Sequence, residues 1–149
     1  RRAMRVDKIC IAALEALYRC YLFEKEPQVD VTVLQQVMDP AETLQSRAAG
    51  IIAELASRVS SKYGIGIVDD EAVVGGGSFA CEKVPSFAIA VRCGSEKDAV
   101  ALARRMRSHD PPVIPRIKGT EVRINLRSVL AREDQDLARS LADVLGDGE

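Results

Sequence analysis

The spacing of apolar residues changes at Gly64, and that change divides the chain into a helical half and a mixed half. Before Gly64 apolar residues recur with helical spacing; after it they alternate. Val6, Cys10, Ala13, Leu14, Leu17, Tyr21 and Leu22 predict a first helix over 4–23. Ile9, Ile11 and Ala12 widen its apolar face, so the helix is expected to be packed on most of its sides. A polar turn with Pro27 leads to a short helical segment over 31–38. Asp39-Pro40-Ala41-Glu42 reads as a helix start, with Asp39 as cap, Pro40 at the first helical position and Glu42 closing a capping box. Leu44, Ala48, Ile51, Leu55 and Val59 then carry the stripe to about Lys62, and Gly64 is the expected C-terminal cap.

In the second half, Ile65 to Val73 reads as a strand and Val74-Gly75-Gly76-Gly77-Ser78 as a turn. Phe87, Ile89 and Val91 alternate with Ala88, Ala90 and Arg92 in a second strand. Ser95 to Asp98 caps a helix that turns Ala99, Leu102, Ala103 and Met106 inward, and Pro111-Pro112 stops it. Val113 to Ile117 and Glu121 to Leu126 read as a hairpin around Lys118-Gly119-Thr120, with Pro115 placing the first strand at an edge or bulge. A final helix uses Leu137, Leu141, Val144 and Leu145, with Glu133, Asp134 and Asp136 at its positive end. The order α-α-α, then β-β-α-β-β-α, is an α+β fold: long N-terminal linking helices followed by a small domain with a mainly antiparallel sheet.

The 149 residues are 47% hydrophobic, enough for one core and too few for two large domains. Lys plus Arg total 21 and Asp plus Glu 22, so a net charge of -1 excludes binding nucleic acid mainly through total charge. No apolar run is long enough for a transmembrane helix. The basic start leads into a charged amphipathic helix rather than a signal-peptide core, which suits a cytoplasmic protein. The chain opens without a methionine and reads as a segment of a longer polypeptide. Cys10, Cys20, Cys81 and Cys93 form no C-x-x-C pair, so buried thiols are expected rather than a zinc or dithiol motif, and no metal site is expected. His109 is the single histidine, at a helix end where a structural role is expected, so a histidine-based triad is not expected.

Several groups remain as candidate anion contacts. Gly75, Gly76, Gly77 and Ser78 match neither the Walker nor the dinucleotide pattern, and read either as a tight backbone turn or as backbone that approaches a ligand. Charge is uneven: residues 92 to 132 hold ten Lys or Arg against four acids, and residues 133 to 149 hold one Arg against six. Arg104, Arg105 and Arg107 lie on a polar helix face, either solvated or facing an anionic partner. Arg2 and Arg5 share a helix face, where two guanidinium forks either suit a phosphate-like anion or are a solvated helix start.

Six stretches together resemble the C-terminal part of the bacterial selenocysteine synthase family, the L-seryl-tRNA(Sec) selenium transferases. They are R-A-M-R-V-D-K from Arg2, A-A-L-E-A-L from Ala12, V-G-G-G-S from Val74, V-P-S-F-A from Val84, D-P-P-V-I-P-R-I from Asp110 and I-N-L-R from Ile124. The family usually has Leu where Met4 stands and often Gly where Pro115 stands. The resemblance runs from Arg2 to about Leu145. It implies a fold-type I enzyme that uses pyridoxal phosphate. Residues 1–30 would be a linking helix from a large cofactor-binding domain, and 31–149 the small C-terminal domain.

The implied reaction converts seryl-tRNA(Sec) to selenocysteinyl-tRNA(Sec), with pyridoxal phosphate as electron sink and selenophosphate as selenium donor. The family's Schiff-base lysine lies in a G-D-K-type segment that is absent here, so the chain alone is expected to be inactive. By the same resemblance Arg2 and Arg5 would bind an anion such as selenophosphate. Arg116 would contact substrate or tRNA phosphate, or make a structural ion pair. Much of the tRNA recognition would fall to an N-terminal domain and to neighbouring subunits of a homo-oligomer, a decamer in the family. Alternatives are a related sugar-phosphate ammonia-lyase of the same fold type, and a free-standing α+β binding or oligomerisation module. The ammonia-lyases usually have Lys where Arg5 stands and Gly where Asp7 stands, which favours the synthase.

Overall fold

The computed structural model describes residues 6–23, 31–56, 58–60, 62–73 and 83–146. The chain divides into two compact units, Arg1–Met38 and Asp39–Glu149. The first unit holds α1, Lys8–Phe23, and α2, Thr32–Met38. The Asp7 carboxylate accepts the Ile9 N–H at the start of α1, where an acceptor satisfies an orphan donor. Glu15 and Arg19 pair one turn apart on the surface at 3.2 Å. The sequence predicts a helix packed on most sides, but α1 has no buried residue; Ile9 is 78% and Phe23 74% exposed. Cys10 is accordingly exposed, against the expectation of a buried thiol, and Cys20 is half-buried. The expected first turn at Met4 and Arg5 lies outside the described residues, as does Cys81.

The second unit begins with α3, Ala41–Leu55. Pro40 keeps an extended ψ of 141°, so it is the N-cap rather than the first helical residue, and no side chain caps this helix. The expected Asp39–Glu42 capping box does not form. Instead the Asp39 carbonyl accepts from the Arg127 guanidinium at 2.9 Å, and the Pro40 carbonyl accepts from Thr43 and Leu44. The helix also ends before the expected Lys62. After Leu55 the chain turns, and Ser60 donates its N–H to the Leu145 carbonyl at 3.0 Å, satisfying the end of a distant helix. Gly64 therefore opens a strand instead of capping a helix.

The strands are β1, Gly64–Val73; β2, Lys83–Arg92; β3, Arg116–Lys118; and β4, Glu121–Asn125. They form one antiparallel sheet in the order β1-β2-β4-β3, as the hairpin-helix-hairpin pattern requires. Between β2 and β3 lies α4, Glu96–Ser108, and the last helix is α5, Asp134–Leu145. Ser95 caps α4 by accepting the Asp98 N–H at 3.2 Å. His109 is its C-cap, with Nδ1 3.2 Å from the Pro111 carbonyl and Nε2 3.5 Å from Asp143, which is the expected structural role. Residues 113–115 are not strand. Val113 sends its N–H back to the Met106 carbonyl at 2.9 Å, and Pro115 has no N–H to give. Gly119, at φ 58°, makes the two-residue turn between β3 and β4.

Helices α3, α4 and α5 cover one face of the sheet. Leu44, Leu102, Met106 and Leu141 meet Ile89 and Val122 in a single core, each at most 2% exposed. Burying each such side chain contributes roughly 1.5–3 kcal/mol. Arg47 of α3 ties this layer together. Its fork reaches Asp134 at 2.7 and 2.9 Å and the Val129 carbonyl at 2.8 Å, so a charge taken from water keeps both its partner and its hydrogen bonds.

Candidate functional site

Strand pairing brings three of the sequence motifs to one end of the sheet. Register sets Asp70 of β1 opposite Ser86 of β2, and Ala88 of β2 opposite Asn125 of β4. The Asn125 amide donates to Asp70 Oδ2 at 2.9 Å, and its oxygen accepts from the Ser86 hydroxyl at 2.8 Å and the Arg127 N–H at 2.9 Å. Arg116, the first residue of β3, donates to the same Asp70 carboxylate. Arg127 donates to the Pro85 carbonyl at 2.5 Å. V-P-S-F-A thus supplies Pro85 and Ser86, D-P-P-V-I-P-R-I supplies Arg116, and I-N-L-R supplies Asn125 and Arg127.

The hydrogen bonds and ion pairs of the cluster shift the titration of its charged members. Burial pushes the Asp70 carboxyl up, but the Asn125 amide, the Glu71 backbone and the Arg116 guanidinium together outweigh it and hold Asp70 below the usual carboxylate range. Glu121 is likewise held low, by Arg123 first and then Arg92. Desolvation lowers the Arg127 guanidinium from its ordinary value, with Asp39 acting in the other direction. Arg116 itself remains 58% exposed, so its fork is oriented by Asp70 and still open to a further acceptor.

Of the residues singled out from sequence, Arg116 is the one the structure places in this cluster. Arg2, Arg5, Gly75, Gly76, Gly77 and Ser78 lie outside the described residues. Val73 pairs with Lys83 at the end of the β1–β2 ladder, and Asp70 lies about 10 Å along the strand from Val73. Asp70 escapes sequence reading because it belongs to no motif; Ser86 and Asn125 are inside motifs but gain a role only through cross-strand register. The described lysines, Lys8, Lys62, Lys83, Lys97 and Lys118, are all exposed, and Lys83 is raised by pairing with Glu71. A Schiff-base lysine needs a desolvated site that lowers its pKa, so none of these five fits the anchor of pyridoxal phosphate. Among the described residues no group of three His, Cys, Asp or Glu could hold a metal ion, and no helix is long and apolar enough to cross a membrane.

A family model described as L-seryl-tRNA selenium transferase matches residues 1–130. The L-seryl-tRNA(Sec) selenium transferase of Moorella thermoacetica is 32% identical over 144 residues, covering 97% of this chain and 30% of the relative. The protein of that name from Mannheimia succiniciproducens is 31% identical over 133 residues, 89% of this chain and 29% of the relative. The Clostridium botulinum protein of that name is 29% identical over 133 residues, 89% of this chain and 28% of the relative. The chain therefore spans about 30% of the length of the curated relatives it matches.

Proposed function

The chain belongs to the L-seryl-tRNA selenium transferase family, and from that premise we propose that it is the C-terminal part of a cytoplasmic enzyme that makes selenocysteinyl-tRNA(Sec) from seryl-tRNA(Sec). The observation that carries the reading is the family match over residues 1–130, which includes the motifs that supply Arg116 and Asn125. Pyridoxal phosphate would be held by a lysine in the part of the relatives that this chain does not span, and would supply the electron sink for loss of the serine hydroxyl. This chain's own work would be binding. Arg2 and Arg5 would hold the anionic selenium donor, selenophosphate. Arg116, set by Asp70, would face substrate or tRNA phosphate, as would Gly75, Gly76, Gly77 and Ser78.

Residues 1–30 would be the link to the cofactor-binding domain, with 31–149 as the small domain. The exposed apolar side chains of α1, Ile9, Leu14 and Leu22 among them, supply a surface that such a domain would cover. The full enzyme would be a homo-oligomer.

The test uses the full-length protein. Charge-assisted hydrogen bonds in a partly closed site contribute roughly 1.5–3 kcal/mol each. Arg2→Ala or Arg5→Ala should therefore slow selenium transfer to seryl-tRNA at limiting selenophosphate by roughly ten- to a hundredfold. Cofactor binding, read from its absorption band, should be unchanged. Arg5→Lys should rescue only in part, since a point charge does not reproduce a planar fork. Wild-type transfer rates in both alanine variants would mean that these arginines are a solvated helix start.

A further inference from the structure

The sheet is incomplete beside β4, and the gap has a cause in the chain. β3 pairs with β4 from Arg116, opposite Arg123, to Lys118, opposite Glu121. Continued by two residues, that ladder would set Pro115 beside Ile124 and Ile114 beside Asn125. Pro115 has no N–H to give, and Val113 has turned its own to the Met106 carbonyl. The chain over 113–115 therefore leaves the strand position vacant, and Ile114 stands 72% exposed.

A cleft of about 570 Å³ opens there, within the roughly 300–1,000 Å³ that suits a small molecule. Its walls are apolar and come from distant parts of the chain. Pro112, Val113 and Ile114 belong to the diverging segment, and Val129 and Leu137 to the approach to α5 and its first turn. Glu133 and Asp136 add two exposed carboxylates. Ser140, at the floor, is 1% exposed, and its hydroxyl has no hydrogen-bond partner among the described residues. Burying a hydroxyl without a partner is unfavourable, and alanine would serve a position that needed only a small side chain.

Glu133, Asp136 and Ser140 follow one another at helical spacing, three and four residues apart, so they share one face of the helix start. Among the described residues one cation pairs with them, Arg139 with Asp136 at 3.2 Å, and it is itself exposed. We propose that this cleft binds a small apolar molecule carrying one cationic group, of the arylalkylammonium type. The walls take the hydrocarbon body. The ammonium, with three N–H donors and no acceptor, bridges the Asp136 carboxylate and the Ser140 oxygen one turn apart, with Glu133 adding a second negative charge. An anion is repelled by the two carboxylates, and a neutral molecule uses the walls alone.

The experiment is calorimetric titration of the full 149-residue chain with 2-phenylethylammonium and with 2-phenylethanol, its uncharged counterpart. Each exposed ion pair contributes up to roughly fivefold in affinity, so the ammonium should bind about five- to twentyfold more tightly than the alcohol. The double variant Glu133→Gln, Asp136→Asn keeps shape and acceptors; it should remove that preference and leave the alcohol's affinity unchanged. Ser140→Ala should weaken the ammonium by roughly three- to tenfold. Glu42→Gln, Glu54→Gln, at exposed positions of α3, should change neither probe, and circular dichroism checks the fold of every variant. Equal affinity for the two probes, a preference that survives in the Glu133–Asp136 variant, wild-type affinity in Ser140→Ala, an equal loss in the α3 variant, or no saturable binding up to about 10 mM would each overturn the proposal.

Discussion

Ile89 and Ala90 are neighbours in β2 and look to opposite sides of the same sheet. On the Ile89 side, Val91, Val122 and Ile124 lie under Leu102, Met106 and Leu141 in a dry core. On the Ala90 side the strands carry glycine, small apolar residues and paired charges, and Ala88 and Ala90 are buried beneath those larger neighbours at 0% and 2% exposed. The two faces use alternate residues of the same strands, so backbone geometry does not distinguish them. The difference lies in what holds each together: one by exclusion of water, the other by oriented hydrogen bonds. Stability should therefore be lost mainly from the first face, and pH and salt sensitivity should come mainly from the second.

The strongest way to break that comparison is in the core. Ile89→Ala should cost about 2–5 kcal/mol, the sum of lost transfer energy and the cavity left behind, read from the urea midpoint. A loss under about 1 kcal/mol would mean that the helix-covered face is not the main source of stability.

Asp70→Ala should cost about 1–3 kcal/mol, because the Asn125 amide and the Arg116 fork lose their shared acceptor. The pH dependence has a definite sign. Asp70 and Glu121 are held low in the folded chain, so the stability they contribute is present above their unfolded values of about 4 and falls as pH drops from there through the folded values. Asp70→Asn should flatten the acid limb of a stability-against-pH curve. An unchanged limb would show that the Asp70–Arg116 pair is not coupled to folding.

Arg92→Gln should cost less, at most about 1 kcal/mol, since the pair is exposed and Glu121 keeps Arg123. Thermal melts at low and high salt should converge for this variant. The smallest effect is expected at Gly66, where alanine has room and removes the entropy cost of glycine in a strand; Gly66→Ala should stabilise by about 0.5 kcal/mol. A destabilising Gly66→Ala would show that the space at Gly66 is filled.

Most of the fold was legible because burial leaves a local record. The alternation at Phe87, Ile89 and Val91, the Ser95 cap and the stripe from Ala99 to Met106 all correspond to elements at those places. The errors fell where a backbone group found a distant partner. Val59 continues the apolar stripe of α3, yet that helix stops at Leu55 because Ser60 is drawn to Leu145. Val113 looks like a strand residue, yet its N–H serves the end of α4. The candidate site was legible only in pieces. Arg116 stood out inside its motif, while Asp70, which orients it, is 46 residues away in the chain.

The amino-acid sequence by itself determined the order of elements, the antiparallel class of the sheet and the family to which the chain belongs. Each of these is written in periods and motifs that span a few consecutive residues, where solvent exposure alternates with a known geometry. Only the tertiary structure decided where α3 ends, that 113–115 stay out of the sheet, and that Arg116 stands opposite Arg123 with Asp70 and Glu121 as their respective carboxylate partners. Those outcomes depend on which strand lies beside which and in what register. Such pairing is settled among residues far apart in the chain, where the gain from collapse outweighs any local preference.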